Sequence, residues 1–180
     1  MKSSYNKIDI EYNELIKVIT QISDPKKIVE IGILEGYSLE SFVNSCNKDT
    51  TIYAFDLFDE FNGNHSNKKD IEEKFKKNPN IKISYGDFYN LHKSLNNVDI
   101  LHIDIANNGD VFEFVMENYL KVLSSNGIII FEGGSIERDN VEWMNKYNKP
   151  KIFPVLKKYI EKGYNIKTYG SFPSITVIKL

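Results

Sequence analysis

Ile28-Val-Glu-Ile-Gly-Ile-Leu-Glu-Gly-Tyr-Ser38 is the stretch on which the reading of this chain turns. An apolar run, residues 28–33, meets two glycines, Gly32 and Gly36, and Leu39, Phe42, Val43 and Cys46 then recur at helical spacing. The pattern predicts a buried strand, a glycine turn and a helix. Such a turn lets backbone approach a ligand and aims a helix N-terminus at it. Glu30 falls inside the strand, where a carboxylate is costly without a partner. Close backbone approach and an awkward acid in one unit point to a nucleotide-like ligand. The dinucleotide fingerprint GxGxxG is absent, because Leu34 stands where its middle glycine belongs.

The flanking segments extend the alternation. Tyr12, Leu15, Ile16, Ile19 and Ile22 mark a helix stopped by Asp24-Pro25. A second strand covers 51–56, 59–69 reads as a loop, and 70–77 as a helix. A third strand covers 81–85, followed by a short helical stretch around Leu91 and Leu95 and a fourth strand over 98–104. Phe112, Val115, Met116, Tyr119, Leu120 and Leu123 form a helical stripe. Strand five is 127–132, and helices follow over 141–147 and 154–161. This alternation means a parallel sheet covered on both faces. Residues 164–169 and 175–180 are joined by Gly170-Ser-Phe-Pro173, too short for a crossover helix, so they form an antiparallel hairpin. The expected organisation is one domain, 1–180, with an N-terminal helix in 1–24, an α/β core over 28–163 and the hairpin over 164–180.

With 41% hydrophobic and 27% charged residues in 180, the chain has the composition of a soluble globular protein. A net charge of −2 without any long basic block argues against a nucleic-acid partner held by bulk electrostatics. No apolar run reaches membrane-spanning length and residues 1–13 lack a signal-peptide core, so a cytoplasmic protein with no membrane partner is expected. Cys46 is the sole cysteine, which excludes an internal disulfide or a cysteine zinc site and suggests a small buried hydrophobe on the helix face. Arg138 is the one arginine among 23 basic residues.

Acids close the strands: Asp56, Asp104 and Glu132, with Asp87 following Gly86 after the third. The C-terminal edge of an open parallel sheet is where ligands bind. Singly each acid reads as a cap or turn residue; four at equivalent places suggest a site. Asp56 suits the two hydroxyls of a ribose, and Asp87 an adenine amino group.

The order Val29-Glu30-Ile31-Gly32 with Gly36, Ala54-Phe55-Asp56, Gly86-Asp87, His102-Ile103-Asp104 and the strand ending at Glu132 resembles the class I S-adenosylmethionine-dependent methyltransferases. The resemblance runs from the first strand to the C-terminus. It implies an α/β, Rossmann-like, doubly wound sheet of seven strands, mostly parallel, with an antiparallel strand in the C-terminal hairpin. It also implies that Glu30, Gly32 and Gly36 line the methionine part of S-adenosylmethionine, that Asp56 and Leu57 hold the ribose, and that Asp87 and Phe88 meet the adenine. Asp56-Leu-Phe-Asp-Glu-Phe-Asn-Gly63 further resembles a loop of macrocin-type sugar O-methyltransferases, in which an acid matching Asp104 helps bind a divalent cation. Here the second acid that often follows is missing, and Glu132-Gly-Gly134 replaces a paired acid. Asp104, Glu132 and Asn107 remain oxygen donors of a kind suited to Mg²⁺ or Mn²⁺.

Methyl transfer from a sulfonium is an in-line displacement that needs an aligned nucleophile and, for a hydroxyl, a base. Asp104 at the sheet edge is the leading candidate. His102, two residues earlier on the same strand face, is a second, and either catalysis or a hydrogen bond within the sheet would account for it. His65, in Asn62-Gly-Asn-His-Ser66, would close over a substrate or stay solvated. Arg138 suits a carboxylate or phosphate of the acceptor, or else an ion pair with Glu137, Asp139 or Glu142. Trp143 and Tyr147 would wall an acceptor pocket or fill the core. The expected activity is O-methylation of a small molecule such as a sugar or sugar-nucleotide. A non-catalytic S-adenosylmethionine-binding regulatory partner, or a non-methylating enzyme on the same scaffold, would use the same residues. The small size leaves room for an acceptor pocket shared across a homodimer.

Overall fold

The computed structural model describes residues 10–60 and 64–180. Residues 1–9, and Phe61, Asn62 and Gly63 of the expected loop, lie outside the described residues. Five strands, β1 (Lys27–Ile31), β2 (Thr51–Asp56), β3 (Ile81–Tyr85), β4 (Val98–Ile103) and β5 (Leu123–Glu132), run parallel. β6 (Asn165–Tyr169) and β7 (Ile175–Lys179) form the hairpin, and β7 enters antiparallel between β5 and β6. The seven-stranded order is β3-β2-β1-β4-β5-β7-β6. The chain therefore winds one way from β1 to β3 and the other way from β4, with the switch between β1 and β4.

Alternation along each strand divides the core. Ile28, Ile52, Ile100, Ile130 and Val177 meet α1 (Ile10–Ser23), α2 (Tyr37–Val43) and α3 (Lys68–Lys74) through Ile16, Leu39, Phe42 and Ile71. Val29, Leu101, Ile103, Ile129 and Ile178 face the other side, against α5 (Gly109–Asn118) and α8 (Ile152–Glu161) through Phe112, Val115, Ile152 and Leu156. Strands buried on both faces explain the near-continuous apolar runs. Among the described residues no helix is long and apolar enough to cross a membrane.

Several boundaries differ from expectation: α3 runs Lys68–Lys74 rather than 70–77, and α8 starts at Ile152 rather than at 154. α2 ends at Val43, so Cys46 lies in the following turn, half-buried beside the α2 core. β5 begins at Leu123 rather than Gly127, because an irregularity in register lets Leu123 pair with Val98 before Ile128 pairs with Ile100. After β5 a short helix, α6 (Ile136–Asp139), precedes α7 (Glu142–Lys146). Its four residues carry no periodic signal. α4 (Phe88–Leu91) completes the set.

Candidate active site

The glycine turn sits at the switch point, where a doubly wound sheet places its ligand. Gly32 N–H bonds to Phe55 O at 2.8 Å, and Asp104 N–H to Ile31 O at 3.0 Å, so the ends of β2, β1 and β4 are laced together. Gly32 has φ +92, and a Cβ there would stand 2.0 Å from the Asp104 carbonyl oxygen. Only glycine permits that approach. Gly36, at φ +77, caps α2 without a side-chain bond.

Asp56 organises the turn. Its Oδ2 accepts from Ile33 N–H at 2.7 Å and Leu34 N–H at 3.1 Å, and its Oδ1 from Phe58 N–H at 2.9 Å and the Asn64 amide at 2.7 Å. Leu34 and Phe58 both have positive φ, +48 and +47, an uncommon conformation for large side chains. The Asp56 carboxylate thus holds both strained residues by their amides. Its four acceptor positions are filled from within the chain, and Asp56 is only 8% exposed. Reading it solely as a ribose ligand missed this structural load. Leu57 beside it is half-buried.

Glu30 and His102 are paired across β1 and β4 in register. Both are fully buried. His102 Nδ1 lies 3.1 Å from Glu30 Oε1, and its Nε2 lies 3.5 Å from the Tyr12 hydroxyl of α1. The Ser38 hydroxyl of α2 donates to the same Glu30 oxygen. The carboxylate that was awkward in the sequence is therefore answered by two elements, β4 and α2, although its Oε2 has no partner among the described residues. His102, without exposed surface and packed edge-on against Phe42, makes the hydrogen bond within the sheet that one of its two readings expects, and Glu30 is likewise without exposed surface.

On the β3 side, Asp87 caps α4: it accepts from Tyr89 N–H at 3.0 Å and from the Asn90 amide at 2.6 Å. Phe88 turns inward instead of toward an adenine. It stacks on Tyr119 with ring centroids 5.2 Å apart and is buried in the α5-side core. The aromatic faces exposed at this edge are Tyr85 and Tyr89, at 44% and 50%, and sequence reading assigned neither. His65 is exposed just ahead of α3.

Glu132, at the end of β5, is clamped by Arg138 in a two-bond fork, Nε to Oε1 at 2.6 Å and Nη2 to Oε2 at 2.7 Å. Both side chains are buried. Burial pushes the Glu132 carboxyl up, and the guanidinium opposes that shift. Burial works against the Arg138 charge, and Glu132 outweighs it. The Arg138 guanidinium also lies over Trp143, 5.5 Å from the ring centroid. The fork expected to grip an acceptor acid, or else Glu137, Asp139 or Glu142, is engaged by Glu132. The next residue, Asp139, accepts from Ile152 N–H at 2.8 Å and Phe153 N–H at 2.7 Å, fixing the start of α8. α6 is thereby tied to β5 and to α8 by consecutive side chains. Tyr147 is exposed and Met144, not Trp143, fills the core from α7.

Two of the expected metal donors are engaged within the chain. Glu132 has both oxygens on Arg138. Asn107 is fully buried and spends its amide on Ile103 O at 3.0 Å and Glu132 O at 2.9 Å, bracing β4 to β5. Among the described residues no group of three or more His, Cys, Asp or Glu side chains is placed to hold a metal ion. Asp104 follows β4 beside the glycine turn and is half-buried.

A glycine turn at the switch point of a seven-stranded sheet with one reversed strand defines a class I methyltransferase architecture. A family model described as a methyltransferase domain matches residues 29–132, more than half of the chain, and the chain belongs to that family. No curated protein matches it. Solved structures share the fold, and the three named next each cover 96% of this chain. They include a methyltransferase from Geobacter sulfurreducens (15% identity, TM-score 0.68, 79% of its own chain). TomG of Streptomyces achromogenes, an O-methyltransferase of tomaymycin synthesis in complex with SAM, gives 13% identity, TM-score 0.69 and 81% of its chain. The O-methyltransferase from Bacillus cereus in complex with SAH gives 13%, 0.70 and 82%. At these identities the likeness is one of fold.

Proposed function

We propose that the protein transfers a methyl group from S-adenosylmethionine to an oxygen of a small molecule, a sugar or sugar-nucleotide being the acceptor class its strand-two loop favours. One observation carries the reading: in a methyltransferase-family chain, Gly32, Asp56 and Asp104 converge at the switch point through direct backbone and carboxylate contacts. The residues fit a nucleoside cofactor. Gly32 and Gly36 leave the turn without side chains, Asp56 supplies a carboxylate, and Asp87 a second one beyond β3. The O-methyltransferase names of TomG and the Bacillus cereus protein, and the SAM and SAH in their complexes, support cofactor and acceptor atom alike.

The cofactor would supply an activated methyl carbon. The chain's own share is to hold the acceptor in line and to take its proton. Asp104 is the carboxylate positioned for that, since its backbone is fixed to Ile31 and it is held against Gly32. The Glu132–Arg138 pair and Asn107 keep the neighbouring strand end rigid. The metal donor set does not fit, and the reaction proposed does not use one.

Calorimetric titration of the protein with S-adenosylmethionine and S-adenosylhomocysteine, repeated with Asp56→Ala, tests the cofactor. Binding by the native chain that is lost in the variant is expected. Absence of binding by folded native protein would remove the reading.

A further inference from the structure

Asp56 carries a bond that its structural duty does not need. Three of its four donors are backbone amides, from Ile33, Leu34 and Phe58, and two of those residues are held at positive φ. Losing any of the three would leave an N–H unpaired, buried at Ile33 and Phe58 and half-buried at Leu34. The fourth donor is the Asn64 side-chain amide, 2.7 Å from Oδ1. Asn64 is half-buried, and rotation of its side chain returns the amide to water at the cost of one accepted bond. Its own Oδ1 accepts from Ser66 N–H at 2.9 Å, closing a small turn over Asp56. Within that turn the Ser66 hydroxyl is buried and has no hydrogen-bond partner among the described residues. A buried hydroxyl without a partner costs free energy and marks a place where a polar group belongs.

We propose that the Asn64 amide holds the place of a ligand hydroxyl on Asp56, and that a nucleoside diol binds by exchange with Asn64. The inference rests on the cofactor reading above and adds a residue that sets affinity. A hydroxyl donating to Oδ1 replaces one charge-assisted bond with another, so the turn and its two strained residues stay in place. Asn64 is thus an internal competitor for the diol, and the Ser66 hydroxyl is the polar group left for the ligand side to satisfy. The same exchange makes the site selective: a nucleoside without hydroxyls has nothing to offer Asp56 and no reason to move Asn64.

The test is titration of the full chain, native and Asn64→Ala, with S-adenosylhomocysteine and with its 2′,3′-dideoxy counterpart, and with Asp56→Ala as reference. Melting midpoints verify folding, and Asn64→Ser replaces the alanine variant if that one does not fold. Removal of the competitor should tighten S-adenosylhomocysteine binding about tenfold and leave the dideoxy compound within twofold. Equal tightening of both ligands, or no tightening of the first, overturns the exchange. If Asp56→Ala still abolishes binding in that case, the cofactor reading survives alone. Failure of native and Asn64→Ala proteins alike to bind S-adenosylhomocysteine removes both.

Discussion

Replacing Arg138 by Met leaves Glu132 in the core with both oxygens stripped of donors. Breaking a buried pair by removing one partner costs about 3–5 kcal/mol. For a chain of this length that lowers the melting midpoint by about 6–20 °C. The sign of the pH dependence follows from proton linkage. Burial already pushes the Glu132 carboxyl up, and without Arg138 nothing opposes it. The folded variant then keeps a proton that the unfolded chain releases above about pH 4.3. Its stability is retained below that value and is lost as pH rises through the raised folded pKa. The deficit relative to native protein should therefore be small at pH 5 and larger at pH 8. Calorimetric melts at both pH values measure it. The double variant Arg138→Met with Glu132→Gln should recover more than half of the loss at pH 8, since no charge is then buried. Equal deficits at pH 5 and pH 8, or no recovery in the double variant, would refute the assignment of a buried, mutually dependent pair.

Asp104→Asn should lower kcat about 100-fold or more while S-adenosylhomocysteine affinity stays within threefold; unchanged turnover removes Asp104 as the base. His102→Ala should cost about 1–3 kcal/mol by leaving the buried Glu30 side chain only the Ser38 hydroxyl, yet keep turnover per folded molecule, as denaturant titration beside an activity assay would show. Gly32→Ala drives a Cβ to 2.0 Å from the Asp104 carbonyl and should destabilise by about 1–3 kcal/mol, read from the urea midpoint. Chelation with EDTA should leave turnover unchanged, and restoration by added Mg²⁺ after a loss would contradict the donor geometry around Glu132.

Much of the scaffold was written in local pattern. The period-two and period-3.6 alternations located the strands and most helices, and the four-residue link Gly170–Pro173 alone forced an antiparallel pair. The residues 28–38 placed the glycine turn correctly because apolar periodicity and glycine are properties of sequence neighbours. Partner choice is not such a property. Glu30 meets a histidine 72 positions away because β1 and β4 share a register. Asp56 reaches back to amides at 33 and 34 because β2 lies beside β1. Phe88 turned out to be core because α4 packs against Tyr119 of a later segment. Arg138 found Glu132 through a four-residue helix too short for any periodic signal. The sequence by itself determined which residues would stand at the sheet edge. Only the tertiary structure decided which of them remain available for chemistry, because a buried carboxylate takes whichever donors the neighbouring strands bring within reach.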